Sequence, residues 1–515
     1  MRHTSHLLAI TCACLLLAQS VRANNIQVTN PTLTGNTGTS ALVQFDLSWE
    51  NSWRGGGVNN WDAAWIFVKY RTIGGWNHVL LNNTGHTAPA GSMIDLGLLI
   101  PGGTPYDANT NPAIGAFIRR SADGNGTFAL TGVQLRWNYG TQGLAYNDIT
   151  QVQVFAIEMA AVLQGAFAAG SGGVENNPFT LTTINTSNPT LAPSGTGSLG
   201  GQAGGFPIGH SAPNVLWPNG FNAFYSMKYE VTQQGYVDFL NTLNYAQQVT
   251  RTTNDPGSIS GTGALVSGNL GRNGIDIQTP GFSLPAVYAC NIDGDSNFGE
   301  SNDGKDIACN YLSWGDLSAY LDWSGLRPMT ELEFEKACRG TMVPVADEYA
   351  WGTNSVASTG YQFINPGASN ETITTNYSTT MGNVSYYWTM GAAFFGPARV
   401  GIFAANVGNS GRISSGASYY GIMEMSGNVC EQPVTLANVD GRAFTGNNGN
   451  GQLTASAIAD VATWPSATAS GVGIRGSSWS QGGTLYIRVS DRTDAATPST
   501  GRLAAVGGRG VRSSP

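Results

Sequence analysis

Charged residues are scarce in this chain of 515 residues, and their balance is negative. They make up 11% of the sequence, against about 25% in an average soluble protein. Lysine and arginine number 24, aspartate and glutamate 32, which gives a formal net charge of −8. Binding to nucleic acid or to an anionic membrane surface is favoured by the opposite balance. We therefore expect no nucleic-acid partner.

Histidine is as scarce as charge, with five in the whole chain. Beyond residue 23 only His78, His86 and His210 remain, far apart in the sequence. Zinc and non-haem iron centres need clustered imidazole, thiolate or carboxylate ligands. The sequence therefore predicts no histidine-rich metal centre.

An apolar run long enough to cross a bilayer is also lacking. The run Leu7–Ala18 follows the basic Arg2 and precedes the small-residue site Val21–Ala23. A spanning helix needs about 20 apolar residues, whereas a secretory signal has a shorter core. We predict a signal peptide over residues 1–23, cleaved near Ala23. The mature protein is then secreted or held at the cell envelope, in the periplasm or at the cell surface, without spanning the membrane.

Cysteine is also scarce, with six residues in the chain. Cys12 and Cys14 lie in the predicted signal peptide. The four that remain are Cys290, Cys309, Cys338 and Cys430. In an oxidising compartment four thiols allow three pairings. We favour a disulfide bond between Cys290 and Cys309, which would close one loop.

Glycine, in contrast, is abundant, at 69 residues or about 13%, against about 7% on average. Between residues 24 and 152, short runs of alternating apolar and polar residues are separated by glycine-rich breaks. Ala41–Trp49 is the clearest alternating run, and Trp65–Tyr70 is a run apolar enough to be buried on both faces. Strands and turns at this spacing predict an N-terminal β-sandwich domain over residues 24–152.

Residues 153–515 form the second predicted domain, of the α+β class with few helices and extensive loops. Three helices are predicted, beginning after the N-cap residues Thr232, Ser313 and Thr330. Thr330 and Glu333 form a capping box, and Gly340 supplies a stop. The tract 168–214 is rich in Gly, Ser, Thr, Asn and Pro and shows no periodicity.

A series of segments in this second domain resembles the formylglycine-generating enzyme, or sulfatase-modifying factor, family, over residues of about 155–515. The resemblance implies a variant of the C-type-lectin fold. It rests on Phe224–Thr232, Trp314–Trp323, Leu326–Glu335, Tyr349–Gly352, Tyr420–Val429, Arg475–Trp479 and Gly508–Arg512.

The resemblance also implies an oxidase that uses two thiolates and copper(I), because soft thiolates suit that ion. The family's thiols lie between its last two segments, yet residues 431–515 contain no cysteine. The two positions fall on Trp479 or Gln481 and on Thr484 or Tyr486. We therefore predict no catalytic residues and no copper. The family's iron-dependent branch draws its histidines from an added helical domain that this chain lacks.

Calcium is a further implication of the resemblance. It would bind at the Gly427–Asn428 loop, through side-chain oxygens of Glu424 and Glu431 and carbonyls of Gly427 and Val429. Oxygen ligands at this density suit calcium.

A second acidic stretch, Asp293–Asn297, opens like a calcium loop. Phe298 stands where a helix–loop–helix hand needs glycine, and Gly304 where it needs glutamate. We therefore predict a polar turn there and no calcium-binding hand.

Six arginines are conspicuous where charge is so scarce: Arg327, Arg475, Arg488, Arg492, Arg509 and Arg512. They are expected to hold loops by bonding backbone carbonyls, with an anionic-ligand pocket as the alternative.

The function predicted is binding or scaffolding at the cell envelope by a non-catalytic member of this family. Its partner would be a protein or a glycan that the sequence does not name. One alternative is an active enzyme of the family that modifies a protein cysteine. Another is a ligand-display receptor with a variable C-type-lectin-like surface, because residues 480–500 are rich in small side chains.

Overall fold

The computed structural model describes residues 25–100, 111–191, 212–390 and 394–515. The predicted signal peptide lies outside these residues. The described chain is mixed, mostly strands with few helices, in agreement with the predicted α+β class. The strands are β1 Gln27–Thr34, β2 Ala41–Gly55, β3 Asn60–Thr72, β4 Gly75–His78, β5 Ser92–Leu98, β6 Ala113–Arg120, β7 Gly124–Trp137, β8 Gln151–Val162, β9 Phe167–Ala169, β10 Thr182–Ile184, β11 Phe224–Met227, β12 Ile275–Thr279, β13 Val287–Cys290, β14 Gln362–Ile364, β15 Thr372–Thr375 and β16 Val511–Ser513.

The helices are short, and each lies C-terminal to residue 230. They are α1 Gln233–Leu240, α2 Tyr245–Arg251, α3 Trp314–Trp323, α4 Glu331–Arg339, α5 Tyr387–Met390 and α6 Val439–Arg442. Single 3₁₀ turns occur at Tyr139–Gln142, Tyr146–Asp148, Pro189–Leu191 and Leu270–Arg272. No helix in the described ranges has both the length and the apolar character needed to cross a bilayer.

The three helices predicted from their caps are confirmed as α1, α3 and α4. The hydroxyl of Thr232 accepts the Gly235 amide at 3.1 Å, which satisfies an amide that has no partner within the helix. Ser313 and Thr330 cap α3 and α4, each within a capping box. Helix α2 is not among the predicted helices, although Asn244 and Gln247 form a capping box at its start.

Strands β1–β8 pair antiparallel and belong to one sheet, in which β2 also pairs with β3 at Arg54–Gly55. β2 pairs with β1 on one side and β7 on the other. β3 pairs with β6 and β4 on one side and β8 on the other. The alternating residues of β2, among them Val43, Phe45 and Trp49, are buried in an apolar cluster shared with β3, β6, β7 and β8. The finer description of this part as a β-sandwich domain stays a prediction.

Strand β8 connects the N-terminal strands to the family-like part of the chain. It pairs with β3 over Gln151–Ala160 and with β11 over Met159–Val162. β11 in turn pairs with β16 near the C-terminus. The sheet is therefore continuous through the predicted domain boundary at residue 152, which falls at the start of β8.

Strand β3 is buried on both faces, as the apolar run Trp65–Tyr70 predicted. Ile66 and Val68 face the N-terminal cluster, while Trp65 and Phe67 lie in a second cluster with residues of α1 and α3. The indole Nε1 of Trp65 donates to the Ser324 carbonyl at 2.8 Å. The N-terminal strands thus form a layer packed directly on the family-like part.

Replacing the Trp65 side chain tests how much this packing contributes to the free energy of unfolding. For Trp65→Ala we expect a loss of about 3–5 kcal/mol, the usual range for removing a buried tryptophan. The loss arises from the cavity and from the carbonyl of Ser324, which loses its donor. Thermal unfolding followed by tryptophan fluorescence would show a lower midpoint. Ile73→Ala, at a fully exposed position, is the matched control and should leave the midpoint unchanged. Equal midpoints for both variants would contradict this account of the interface.

Candidate functional site

Helix α4 carries a row of buried carboxylates. Glu331 and Glu335 are four residues apart and therefore lie on the same helix face, and both are fully buried. Arg475 reaches both of them, with Nη1 at 2.9 Å from Glu331 Oε2 and Nη2 at 2.9 Å from Glu335 Oε1. Arg492 also pairs with Glu331, with Nε at 2.7 Å from Oε2. The helix thereby fixes two points of the segment 475–492.

These ion pairs change the titration of Glu331. Burial alone would raise its pKa, but Arg492 and Arg475 outweigh burial and hold the pKa below its usual value. The Glu331 carboxylate also accepts the Thr435 hydroxyl and the Leu436 amide. A buried charge with this many partners is a fixed structural element rather than an open ligand site.

The conspicuous arginines also hold loops by bonding backbone carbonyls and carboxylates inside the fold. Arg327 forms a two-point pair with Glu333 at 2.8 and 2.7 Å. Arg475 donates to the Val489 carbonyl at 2.6 Å, and Arg512 donates to the Leu98 carbonyl at 2.7 Å and to Gly325. Arg488 is partly exposed and pairs with Asp347 at 2.9 Å.

The predicted calcium ligands meet at a second buried cluster. Glu424 and Glu431 are both buried, together with Glu230 from the chain just before α1. Glu230 accepts the Val429 amide at 3.0 Å and the Asn428 side chain at 2.5 Å. Arg509 pairs with Glu431, Nε to Oε1, at 2.5 Å. Arg509 thus pairs with Glu431, while Glu230 holds the Gly427–Asn428 loop through Asn428 and Val429.

The cluster has the oxygen donors that calcium requires, but not in an open arrangement. Oε2 of Glu424 and Oε2 of Glu431 are buried without a hydrogen-bond partner, and such oxygens fit a cation. However, Oε1 of Glu424 already accepts the Gly401 amide at 2.9 Å, and Arg509 supplies positive charge at Glu431. Gly427 has φ of 83° and donates its amide to the Gly476 carbonyl. Calcium at Glu424, Gly427, Val429 and Glu431 stays a prediction.

Burial dominates the titration of these carboxylates. It raises the pKa of Glu424 to about 7, against the opposing influence of Arg509, and it raises the pKa of Glu230 well above its usual value. The pKa of Glu431 is raised for the same reason. Burial thus favours the protonated form of each of these carboxylates, and Arg509 opposes it.

The positions implied for the family's thiols differ in exposure. Trp479 is buried, and its indole Nε1 donates to the Ala504 carbonyl at 3.0 Å. Gln481, Thr484 and Tyr486 are each partly exposed. The Gln481 carbonyl accepts the Tyr387 amide at 3.3 Å. None of these four side chains is a thiol.

The four described cysteines are all free and buried, so the predicted disulfide bond between Cys290 and Cys309 is not formed. Both thiols lie in the apolar cluster around α1 and α3, and the Cys309 thiol donates to the Asn310 carbonyl at 3.6 Å. Burial raises the pKa of all four thiols, Cys338 and Cys430 included. The thiolate that disulfide exchange requires is therefore disfavoured.

One group of three or more candidate metal-ligating side chains is found in the described parts of the chain. It consists of Asp293, Asp295 and Glu300, whose oxygens lie within 4.8 Å of one another. All three residues are exposed. The stretch predicted to be a polar turn thus brings three carboxylates together.

The family model of the sulfatase-modifying factor enzyme 1-like domain (FGE-sulfatase) matches residues 187–513, well over half of the chain. The chain belongs to the sulfatase-modifying factor family. The resemblance carried by the segments between Phe224 and Arg512 is thereby confirmed. A search of curated proteins found no match.

The copper chemistry of the sulfatase-modifying factor family does not fit these residues. Copper(I) needs two adjacent soft thiolates. The segment 431–515, where the family places them, has no cysteine. The thiols that exist are buried at separate places in the fold, Cys338 at the end of α4 and Cys430 after the Gly427–Asn428 loop. We derive no copper-dependent step for this family member.

Sequence reasoning missed the buried carboxylates Glu230, Glu331 and Glu335 in this family member. A signal was present in α4, because Glu331, Glu333 and Glu335 alternate with the apolar Leu332 and Phe334. In a chain with so few charges, three glutamates inside an otherwise apolar motif indicate pairing with the equally conspicuous arginines. Which glutamate meets which arginine depends on contacts more than 100 residues apart in sequence.

The Glu331 network predicts a large difference between buried and exposed ion pairs. Glu331→Ala leaves Arg475 and Arg492 buried with fewer acceptors, which costs about 3–5 kcal/mol for a broken buried pair. We expect a clearly lower thermal midpoint. Asp123→Ala removes the exposed partner of Arg54, 3.6 Å away, and should change the midpoint little. Similar effects of the two substitutions would refute the role assigned to α4.

The raised pKa of Glu424 predicts a pH dependence of stability. Its pKa is about 7 in the folded chain against an ordinary 4.5, so the folded state binds more protons than the unfolded state between these values. The stabilising contribution of Glu424 to the free energy of unfolding is therefore present at low pH and lost as pH rises through about 7. Glu424→Gln should raise the thermal midpoint at pH 8 and change it less at pH 5. Asp440→Asn, at an exposed carboxyl, is the control. A Glu424→Gln effect independent of pH would contradict this assignment.

Proposed function

We propose that this protein is an exported, non-catalytic member of the sulfatase-modifying factor family that binds or scaffolds a partner at the cell envelope. Export is inferred from the signal-peptide pattern over residues 1–23. The observation that carries the non-catalytic proposal is the absence of cysteine from residues 431–515. The side chains at the thiol positions neither bind copper(I) strongly nor accept electrons reversibly as a dithiol does.

The free cysteines elsewhere do not substitute for the missing pair. A thiol that acts as nucleophile or copper ligand must be accessible and readily ionised. Cys338 and Cys430 are buried, and burial raises the pKa of each thiol. Cys290 and Cys309 lie in a different apolar cluster from either of them. This arrangement supports a structural role for all four thiols.

An exposed apolar patch around Trp479 supports a binding role. Phe395 stacks edge-on against Trp479 with ring centres 4.7 Å apart, yet remains 64% exposed. Tyr387 is bonded to the Gln481 carbonyl, and Leu503 adjoins the carbonyl that accepts the Trp479 indole; both side chains are more than half exposed. Apolar surface of this kind is typical of contact with a protein or a sugar face.

Two buried ion pairs hold the segment that carries Trp479. The segment 475–492 is fixed at both ends by Arg475 and Arg492, which meet at Glu331 of α4. Between these points Ser480, Gly482 and Leu485 are exposed. An exposed loop that is held in place at both ends is suited to binding a ligand. The same arrangement favours the second candidate function, a ligand-display receptor that uses residues 480–500.

A combined metal and activity measurement tests the proposal. Purified protein would be reconstituted with copper(I) under reducing conditions, desalted, and assayed for bound copper by mass spectrometry. The same sample would be incubated with oxygen and a sulfatase peptide that contains a cysteine. We expect no stoichiometric copper and no conversion of the peptide cysteine.

Conversion of the peptide would overturn the non-catalytic proposal. In that case the variants Cys338→Ser and Cys430→Ser, each tested for folding by circular dichroism, would show whether a buried thiol is involved. An established oxidase of the same family, treated in parallel, is the positive control for reconstitution.

A further inference from the structure

A cleft with a volume of about 220 Å³ lies between the N-terminal strands and the helices α1 and α3. Residues 153–157 of β8 and Val28 of β1 contribute to it from the N-terminal strands. Gly235 and Asp238 of α1 contribute from the family-like part, together with two residues of α3. Concave sites where two parts of a fold meet are common places for small ligands.

Aromatic side chains form much of the wall of this cleft. They are Phe67 of β3, Phe155 of β8, and Tyr320 and Trp323 of α3. The rings pack against one another, since the ring centre of Trp323 lies 4.9 Å from that of Phe155 and 5.6 Å from that of Tyr320. Aromatic walls offer apolar contact, and the faces of aromatic rings attract cations. The cleft therefore favours a ligand that combines apolar surface with positive charge.

Asp238 supplies the negative charge of the cleft. Its Oδ1 accepts the side-chain amide of Gln234 at 2.8 Å. Within the described chain, no lysine or arginine forms an ion pair with it. Burial raises the pKa of Asp238 to about 6, against the opposing hydrogen bond from Gln234, so the carboxylate is mostly ionised at neutral pH. A partly buried carboxylate without a cationic partner is unfavourable, and a bound cation would remove that cost.

A glycine keeps space open on the same face of α1. Gly235 precedes Asp238 by three residues, which places both on one side of the helix. A Cβ atom at Gly235 would lie 3.3 Å from the Tyr320 hydroxyl, so any larger residue would narrow the cleft there. Burial raises the pKa of Tyr320, and the charge of Asp238 raises it further. The hydroxyl is therefore neutral, and its oxygen can accept a hydrogen bond.

Lys69 lies near the aromatic wall but does not line this cleft. Its Nζ is 5.3 Å from the ring centre of Trp323 and donates to the Gly451 carbonyl at 2.7 Å. Burial lowers the pKa of Lys69 well below its usual value, although Asp322 opposes this effect. The neutral amine is thereby favoured, which weakens the repulsion between Lys69 and a cation in the cleft.

We propose that this cleft binds a small organic cation, an ammonium group on an apolar body, with its charge at Asp238 and its apolar body against Tyr320 and Trp323. An ammonium group gains both from a charge-assisted hydrogen bond to a carboxylate and from nearby ring faces. The volume is below the range of about 300–1,000 Å³ that is usual for drug-sized ligands, so the ligand is small. The site uses none of the residues of the exposed patch around Trp479 and is independent of the proposed binding function.

Other ligand classes fit the cleft less well. An anion would meet Asp238 as a like charge, and a wholly apolar molecule would leave that carboxylate without a partner. Calcium takes six to eight oxygen ligands, whereas Asp238 is the only carboxylate among the described residues that line the cleft.

Benzylamine and benzyl alcohol test the site, because they have nearly the same shape and only the amine is charged at neutral pH. Each would be titrated into the full chain and followed by calorimetry. We expect benzylamine to bind at one site, about tenfold more tightly than benzyl alcohol. Asp238→Asn retains an oxygen for the Gln234 amide and removes the charge, so it should abolish this preference. Gly235→Ala should weaken the binding of both probes by about tenfold, because the added methyl group fills part of the cleft.

Matched measurements separate lost binding from misfolding. Asp440→Asn makes the same substitution at an exposed carboxyl on α6 and should leave the affinity for both probes unchanged. At neutral pH the thermal midpoint of Asp238→Asn should not fall, because the raised pKa of Asp238 means that its charge disfavours the folded state. Gly235→Ala should also remain folded, since alanine favours a helix more than glycine does.

Three results would overturn the proposal. The first is that the unaltered chain does not bind benzylamine at a concentration of about 10 mM, which excludes even a weak site of this class. The second is equal affinity of the unaltered chain for benzylamine and benzyl alcohol, which would show that charge is not recognised. The third is an Asp238→Asn variant that keeps the preference for the amine, which would place the bound cation elsewhere on the protein.

Discussion

The pairing of Glu331 with Arg475 and Arg492 is the interaction on which the family-like part most depends. It joins the first turn of α4 to a segment more than 140 residues later. That segment has almost no regular secondary structure, so backbone ladders do not hold it in place. Buried charge pairs with several partners take over this task, and they are effective because each has an exact geometric requirement. A loop-rich fold is thereby kept in one arrangement.

The same principle explains why so few charges are enough to hold the loops of this chain in place. The arginines of the closing segments bond to carboxylates of α4 and of other segments or to backbone carbonyls, so most of them are used internally. Little charge remains for the surface. Against this background the exposed carboxylates of Asp293, Asp295 and Glu300 are conspicuous, because they lie close together.

The N-terminal strands belong to the same sheet as the family-like part of the chain. Because β8 pairs with both β3 and β11, the family-like part is completed by a layer that the family match at residues 187–513 does not include. Trp65 and Phe67 fill the interface from the N-terminal side. The exposed patch around Trp479 belongs to other elements, so the layer stabilises the fold without covering the surface to which we assign binding.

The sequence by itself determined the caps of α1, α3 and α4, the alternating strand β2 and the family, because these depend on residues close together in the chain. It also determined that residues 431–515 contain no cysteine, which is a matter of composition. It predicted the disulfide bond wrongly, since spacing says nothing of the apolar cluster that encloses Cys290 and Cys309. Only the tertiary structure decided which glutamate meets which arginine. Those contacts arise where distant segments pack together, and no local pattern encodes them.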